Sequence, residues 1–274
     1  MQASRVWQPP SGTLGQLTAS AHERAAALQR RRADLKALAS DSAPGPSLAA
    51  ALRRDDVAVI AEIKRRSPSK GDISPGASAT VLAAAYADGG AAALSILTEP
   101  DHFGGDSGDL VDVRRRIDLP TLKKDFHVDS IQLLEARAIG ASALLLIARA
   151  LEPSRLEDLA KEAALLGVEV LIEVRDDDEL ARAVAIGAPM IGVNNRNLET
   201  LVITPATAAR LIPLIPADRV AIYESGIKGA DDVRGAAGVG ADAVLVGSSV
   251  TGAPDPAAAV RALTGIARQD RRGG

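Results

Sequence analysis

A single (β/α)8 barrel, the TIM-barrel form of the α/β class, is predicted for this chain of 274 residues by three observations. Eight short apolar runs rich in β-branched residues recur with centres roughly 20 to 35 residues apart, and the intervals carry helical periodicity. Glycine closes most of those helical intervals, as a turn back into a strand requires. The composition, 47% hydrophobic but only 2% aromatic, leaves Ala, Val, Leu and Ile to build the core, which suits strands buried on both faces beneath helices. The length agrees with one barrel domain rather than two smaller ones.

Residues 1–52 precede the first apolar run and read as an N-terminal helical extension. Within it, 14–38 is an amphipathic Ala/Arg/Leu-rich stretch and 41–47 a Pro-, Ser- and Gly-bearing break, and the extension is expected to cover the barrel bottom or rim. The barrel is expected over 53–268, with strands at 57–63, 93–98, 120–124, 143–147, 169–174, 190–194, 220–224 and 243–247. Helical patterns lie at 77–88, 130–139, 156–166, 178–186 and 205–211, and Gly89-Gly90, Gly140, Gly167, Gly187 and Gly240 follow helical stretches. Residues 269–274 read as a flexible tail, and Trp7 carries no legible chemistry, so both ends are expected to be disordered. An open doubly wound sheet is the rival architecture. It would want a glycine-rich phosphate turn after the first strand, and Lys64-Arg65-Arg66-Ser67-Pro68 is not one.

A net charge of -3, with no Lys/Arg block interleaved with aromatics, marks neither a nucleic-acid nor a membrane surface and favours a small-molecule ligand. The absence of cysteine excludes disulfides, thiolate nucleophiles and Cys-ligated metals. The N-terminus lacks a basic region followed by an apolar core, and no run approaches the roughly 18 to 20 apolar residues of a membrane span, so a cytoplasmic location is expected. His22, His102 and His127 lack metal-ligand spacing and are expected at the surface. No motif calls for a nucleotide, flavin or metal, so no cofactor is expected.

In a barrel of this kind the C-terminal strand ends and the loops after them build the active site. The first strand runs into Ala61-Glu62-Ile63-Lys64, where Glu62 and Lys64 share a face. A carboxylate beside an ammonium there is costly unless used or paired, and a surface ion pair capping the strand is the bland alternative. Lysine usage favours chemistry. Of 32 Lys plus Arg only seven are lysines, and Lys64, Lys70, Lys123 and Lys124 fall in two short segments at the polar ends of strands. A buried lysine can be tuned as a proton donor, which arginine cannot.

The other strand ends add to this. Alternation places one of Lys123 and Lys124 in the mouth and the other outward. Glu173 stands in the aliphatic run Leu171-Ile172-Glu173-Val174, where an isolated carboxylate needs a partner or a raised pKa. Asn194-Asn195-Arg196-Asn197-Leu198 ends the sixth strand, although amides there also serve simply as turn formers. Glu224-Ser225-Gly226-Ile227 and Val246-Gly247-Ser248-Ser249 end the seventh and eighth, where barrels hold phosphate on glycine N–H groups and a helix N-terminus. Two such loops point to a phosphorylated ligand.

Taken in order, these segments, with Ser67-Pro68-Ser69-Lys70-Gly71, Ser95-Ile96-Leu97-Thr98-Glu99, Lys124-Asp125-Phe126 and Leu144-Leu145-Leu146-Ile147, resemble the indole-3-glycerol phosphate synthases of tryptophan biosynthesis. The resemblance runs from about Val57 to the end of the eighth strand. It departs from the family's pattern at Lys123, often arginine there, at Asn197, often aspartate, and in the variant loop Gly247-Ser248-Ser249. It implies a carboxy-lyase that closes 1-(2-carboxyphenylamino)-1-deoxyribulose 5-phosphate to indole-3-glycerol phosphate with loss of carbon dioxide and water. By the same resemblance Lys124 is the acid of ring closure and Glu173 the base of dehydration. Glu62 and Asn194 orient them, and Lys64 meets the substrate carboxylate and shares in the acid work. Ser67, Phe126, Arg196, Leu198 and Ser225 would contact the substrate, and Gly226, Gly247, Ser248 and Arg66 its phosphate. The enzyme is expected to be a monomer, with other enzymes of the pathway as possible partners. Read without the resemblance, the residues leave open another phosphosugar barrel enzyme, an isomerase or a Schiff-base aldolase using Lys124, or a non-catalytic phosphate-binding subunit.

Overall fold

The eight apolar runs become strands because each is too short and too rich in Val, Ile and Leu to cover itself, and parallel pairing beneath helices buries both of its faces. In the computed structural model, which describes residues 7–69, 71–74 and 76–271, they are β1 Ala58–Ile63, β2 Ala93–Leu97, β3 Thr121–Lys124, β4 Ala143–Ile147, β5 Glu169–Val174, β6 Met190–Asn194, β7 Val220–Glu224 and β8 Ala243–Val246. Each pairs in parallel with the next, and β8 closes onto β1 through Ala58↔Ala243 to Ala61↔Val246, so the sheet is a closed barrel. The doubly wound alternative is thereby excluded. Lys70 and residues 272–274 of the expected tail lie outside the described residues.

Helices alternate with the strands: α3 Ala79–Asp88, α4 Ser107–Arg114, α5 Ser130–Ala138, α6 Pro153–Leu165, α7 Asp177–Ile186, α8 Ala206–Leu211, α9 Ala230–Gly238 and α10 Pro256–Arg261. Their starts are set by side chains that take up orphan backbone N–H groups. Asp129 and Gln132 form a reciprocal capping box on α5, and Asp176 accepts from the Glu179 N–H at the start of α7. At the end of α7, Gly187 adopts φ 80°, a left-handed turn that returns the chain to β6.

The N-terminal extension folds as α1 Gly12–Leu28 and α2 Arg32–Asp41. Of the two places the sequence allowed, α1 takes the rim of the barrel mouth and not the bottom: the Thr13 N–H donates to the Glu199 carbonyl at 3.2 Å, and Arg24 reaches Asp125 just beyond β3. Leu35 and Ala39 of α2 bury themselves against Ile131 and Leu134 of α5, on the flank.

At the opposite end of the barrel Asp242 joins three parts of the chain. It accepts from the Ala221 N–H at 2.8 Å, Arg268 Nη1 at 2.7 Å and Arg271 Nη1 at 2.6 Å. The expected flexible tail is therefore held as far as Arg271, whose side chain is 5% exposed. Truncating Asp242 to Ala leaves a buried guanidinium without its carboxylate, a change that costs roughly 3–5 kcal/mol. Urea denaturation of the variant should show that loss, and an unchanged midpoint would mean that the clasp contributes nothing.

Candidate active site

The barrel mouth opens into a cavity of about 260 Å³ lined by strand-end side chains, among them Glu62, Lys64, Lys124, Asn194 and Glu224. Strand alternation explains the set. Lys124 follows the inward Leu122 by two residues and Asn194 follows Gly192, and barrel register places Asn194 beside Glu224 and Glu173 beside Gly192. Lys123, one residue out of phase, points the other way and is 1% exposed among Asp125, Glu135 and His127.

Within the mouth the polar groups are directly linked. Lys64 Nζ donates to Glu62 Oε1. Lys124 Nζ lies 3.8 Å from Glu173 Oε2, and Asn194 Nδ2 donates to Glu173 Oε1 at 3.0 Å. Asn194 Oδ1 in turn accepts from Ser225 Oγ at 2.9 Å and from the Arg196 N–H at 2.9 Å. One amide thus fixes the carboxylate of β5, the start of the loop after β6 and Ser225, which sits at the left-handed φ of 66°. The neighbouring amides serve the backbone instead. Asn195 donates to the carbonyls of Glu224 and Ser225, and Asn197 Oδ1 accepts from the Glu199 and Thr200 N–H groups in a turn.

Two glycines make room for this chemistry. A Cβ at Gly192 would lie 2.0 Å from Glu224 Oε1, and one at Gly247 would lie 2.5 Å from Glu62 Oε1 and 3.0 Å from Lys64 Nζ. No side chain larger than hydrogen can stand at either position while the carboxyl groups keep their places.

Glu62 and Glu224 line the cavity, while Glu173, also buried, lines a neighbouring cavity with Arg149 and Glu199 and meets the mouth through Lys124 and Asn194; these three carboxyl groups face the ammoniums of Lys64 and Lys124. Burial opposes every charge here, and Arg196 at the wall adds a further cation that feels Glu62. For Glu62 burial is outweighed by Lys64 and Lys124, which hold its carboxyl below the usual value. For Lys124 burial is likewise outweighed by Glu173, Glu224 and Glu62, and its pKa is raised. Glu224 is the odd group out: burial and the charge of Glu173 raise its pKa well above its ordinary value. Its Oε1 and Oε2 of Glu173 have no other hydrogen-bond partner, and the protonated acid can donate toward Glu173.

Ser67, Phe126, Arg196, Leu198, Ser225, Gly226, Gly247 and Ser248 all line the same cavity. Ser67 Oγ is buried without a partner, an open donor and acceptor at the wall. Arg66 does not line it. Its Nε and Nη2 donate to the carbonyls of His102 and Asp101, so this sequence-predicted phosphate ligand is engaged by the loop after β2. Lys228 lines the cavity beside Gly226 and is a cation that the sequence reading gave no task. The reading also passed over Glu224, quoted only as part of a motif, and Leu17 and Phe103, wall residues from α1 and the loop after β2. Strand alternation from the inward Ile222 would have marked Glu224, whereas nothing local marks Leu17. The histidine expectation is corrected at His127, which is 3% exposed, set against the Leu145 carbonyl at 2.7 Å and, with burial and Lys123 opposing its charge, lowered to about 3.

Residues 14–263 match the family model of indole-3-glycerol phosphate synthase. The chain belongs to that family. It is 50% identical over 234 residues to the indole-3-glycerol phosphate synthase of a Nocardioides species, covering 85% of this chain and 90% of that one. It is also 50% identical over 230 residues to indole-3-glycerol phosphate synthase 1 of Streptomyces coelicolor, covering 84% and 86%. Among solved structures, 3-hexulose-6-phosphate synthase from Salmonella typhimurium superposes with a TM-score of 0.62 at 16% identity, over 76% of this chain and 96% of that one, which shows the shared barrel. Family membership makes the chain an enzyme and leaves no room for the binding-subunit reading. Among the described residues no helix is long and apolar enough to cross a membrane.

The charge balance of this synthase-family site has a measurable signature. Because the folded pKa of Glu224 lies above its ordinary 4.5, the folded state binds the extra proton and stability falls as pH rises from there toward the raised value. Glu224→Gln mimics the protonated acid, so its melting temperature should match wild type near pH 4 and exceed it increasingly at higher pH. Equal pH profiles for the two proteins would refute the raised pKa of Glu224. Gly192→Ala should destabilise by roughly 1–3 kcal/mol, as overpacking does, and lower turnover by displacing Glu224. Retention of both wild-type stability and turnover would show that Glu224 can move aside.

Proposed function

We propose that this member of the family closes the indole ring by acid–base catalysis at the barrel mouth, with Lys124 as acid and Glu173 as base. The substrate is 1-(2-carboxyphenylamino)-1-deoxyribulose 5-phosphate and the product indole-3-glycerol phosphate. The observation that carries the reading is the linked set Lys124, Glu173 and Asn194, a proton donor and a carboxylate 3.8 Å apart with the carboxylate held from its other oxygen. The reaction needs such a pair. Attack of the carboxylate-bearing aniline ring carbon on the ketone puts charge on the carbonyl oxygen, which an ammonium can protonate, and carbon dioxide then leaves from that attacking ring carbon, its bonding electrons restoring aromaticity. Dehydration next requires a proton for the departing hydroxyl and a base for the proton lost with it.

Lys64 stands across the cavity with Glu62 as its partner, suited to neutralise the substrate carboxylate before its departure and to deliver the dehydration proton afterwards. Glu62 and Asn194 orient Lys64 and Glu173 respectively. The phosphate end belongs to Ser225, Gly226, Gly247 and Ser248, where the short helix Ser248–Thr251 begins, with Lys228 nearby. The aromatic end belongs to Phe126, whose ring centroid is 6.1 Å from that of Phe103, and to Leu198, Arg196 and Ser67. In this reading the protein acts as a monomer in the cytoplasm.

Product formation, followed by its indole fluorescence, tests the assignment. Loss of either general acid or general base should lower turnover by roughly 100- to 10,000-fold, so Lys124→Ala and Glu173→Gln should each fall in that range. Wild-type turnover in either variant would remove that residue from the chemistry, and an inactive wild type would remove the reaction.

A further inference from the structure

We infer that Arg24, in the N-terminal extension, is a positioning residue for the catalytic mouth, acting through Asp125 on Lys124 and Phe126. The inference rests on the reading of Lys124 as the ring-closure acid. Asp125 lies between those two residues in sequence and is itself 6% exposed, just past the end of β3. It is fully engaged: Oδ1 accepts from Arg24 Nη2 at 2.6 Å and from the Phe126 N–H at 2.8 Å, while Oδ2 accepts from Thr98 Oγ1 at 2.8 Å and lies 3.4 Å from Lys123 Nζ. Against burial, Lys123 and Arg24 hold its carboxyl below the usual range.

The other arm of Arg24 joins a second loop. Nη1 donates to Glu99 Oε1 at 3.2 Å, and Glu99, wholly buried, accepts the N–H groups of Asp101, His102 and Phe103 and so holds the turn that carries Phe103 to the wall. The planar guanidinium therefore ties the loops after β2 and β3 together, and those loops deliver Phe103 and Phe126. The same helix is held to the loop after β6 at its start, where Ser11 donates from its N–H at 2.7 Å and from Oγ at 3.0 Å to Glu199 Oε1. Three loops of the mouth thus share one helix, and Arg24, toward its C-terminal end, enters between two of them.

The test is a double-mutant cycle on purified full-length protein: Arg24→Gln, Asp125→Asn and the pair, with kcat, KM and melting temperature for each. If Arg24 acts through Asp125, each single variant loses at least tenfold in kcat with a smaller change in KM, and the pair loses no more than the worse single variant. Arg24→Lys, which keeps the charge but not the fork, should recover only part of kcat. Unchanged kcat with a lowered melting temperature would reduce Arg24 to a stability residue and overturn the inference, as would losses that multiply in the pair. Lys124→Ala run alongside separates the two claims, because near-wild-type turnover there defeats the role of Lys124 whatever Arg24 does.

Discussion

Three carboxyl groups and two ammoniums meet at an apolar barrel mouth, and the need to balance their charges organises what surrounds them. A lone buried carboxylate is too costly to keep, so Glu62 is tied to Lys64, Glu173 to Lys124 and Asn194, and the pKa of Glu224 is raised. The backbone yields to this arrangement. Gly192 and Gly247 give up side chains where the carboxyl groups need room, and Ser225 accepts a left-handed conformation to reach Asn194. The result is a site whose side chains are held in place before any substrate arrives, which is the form of preorganisation that acid–base catalysis uses.

The loops depend on the same economy. The buried carboxylates Asp125 and Glu99 of the loops after β3 and β2 are paired with Arg24 of the extension, and Glu199 is paired with Ser11 and Arg149. The extension is therefore part of the catalytic end of the barrel and not an appendage to its floor. At the floor the corresponding task falls to Asp242, which gathers the chain end through Arg268 and Arg271. Stability and chemistry occupy opposite ends, as they do in barrels generally.

Particular residues show how far the linear pattern reached. The eight runs, their order and the alternation that puts Glu62 and Lys64 on one face all follow from local rules, and the strands begin and end within a residue or so of where hydrophobicity places them. Strand alternation separated Lys123 from Lys124 without saying which faces the mouth; the resemblance named Lys124, and the barrel register puts it there. The amides divide in the same way. Asn194 and Asn195 are indistinguishable as letters, yet one braces a carboxylate and the other two carbonyls. Arg66, named for the phosphate by the resemblance, has a guanidinium long enough to reach two carbonyls of the next loop, which no local pattern foretells.

By itself the sequence determined the barrel, its strand ends and the family motifs, because burial periodicity and motif spacing are properties of neighbours along the chain. Tertiary structure alone decided which groups pair and which titrate. Asn194, Arg24 and Arg268, partners of Glu173, Asp125 and Asp242, come from 21 to 101 residues away, and Coulomb and desolvation energies depend on separation in space, which the linear order does not contain.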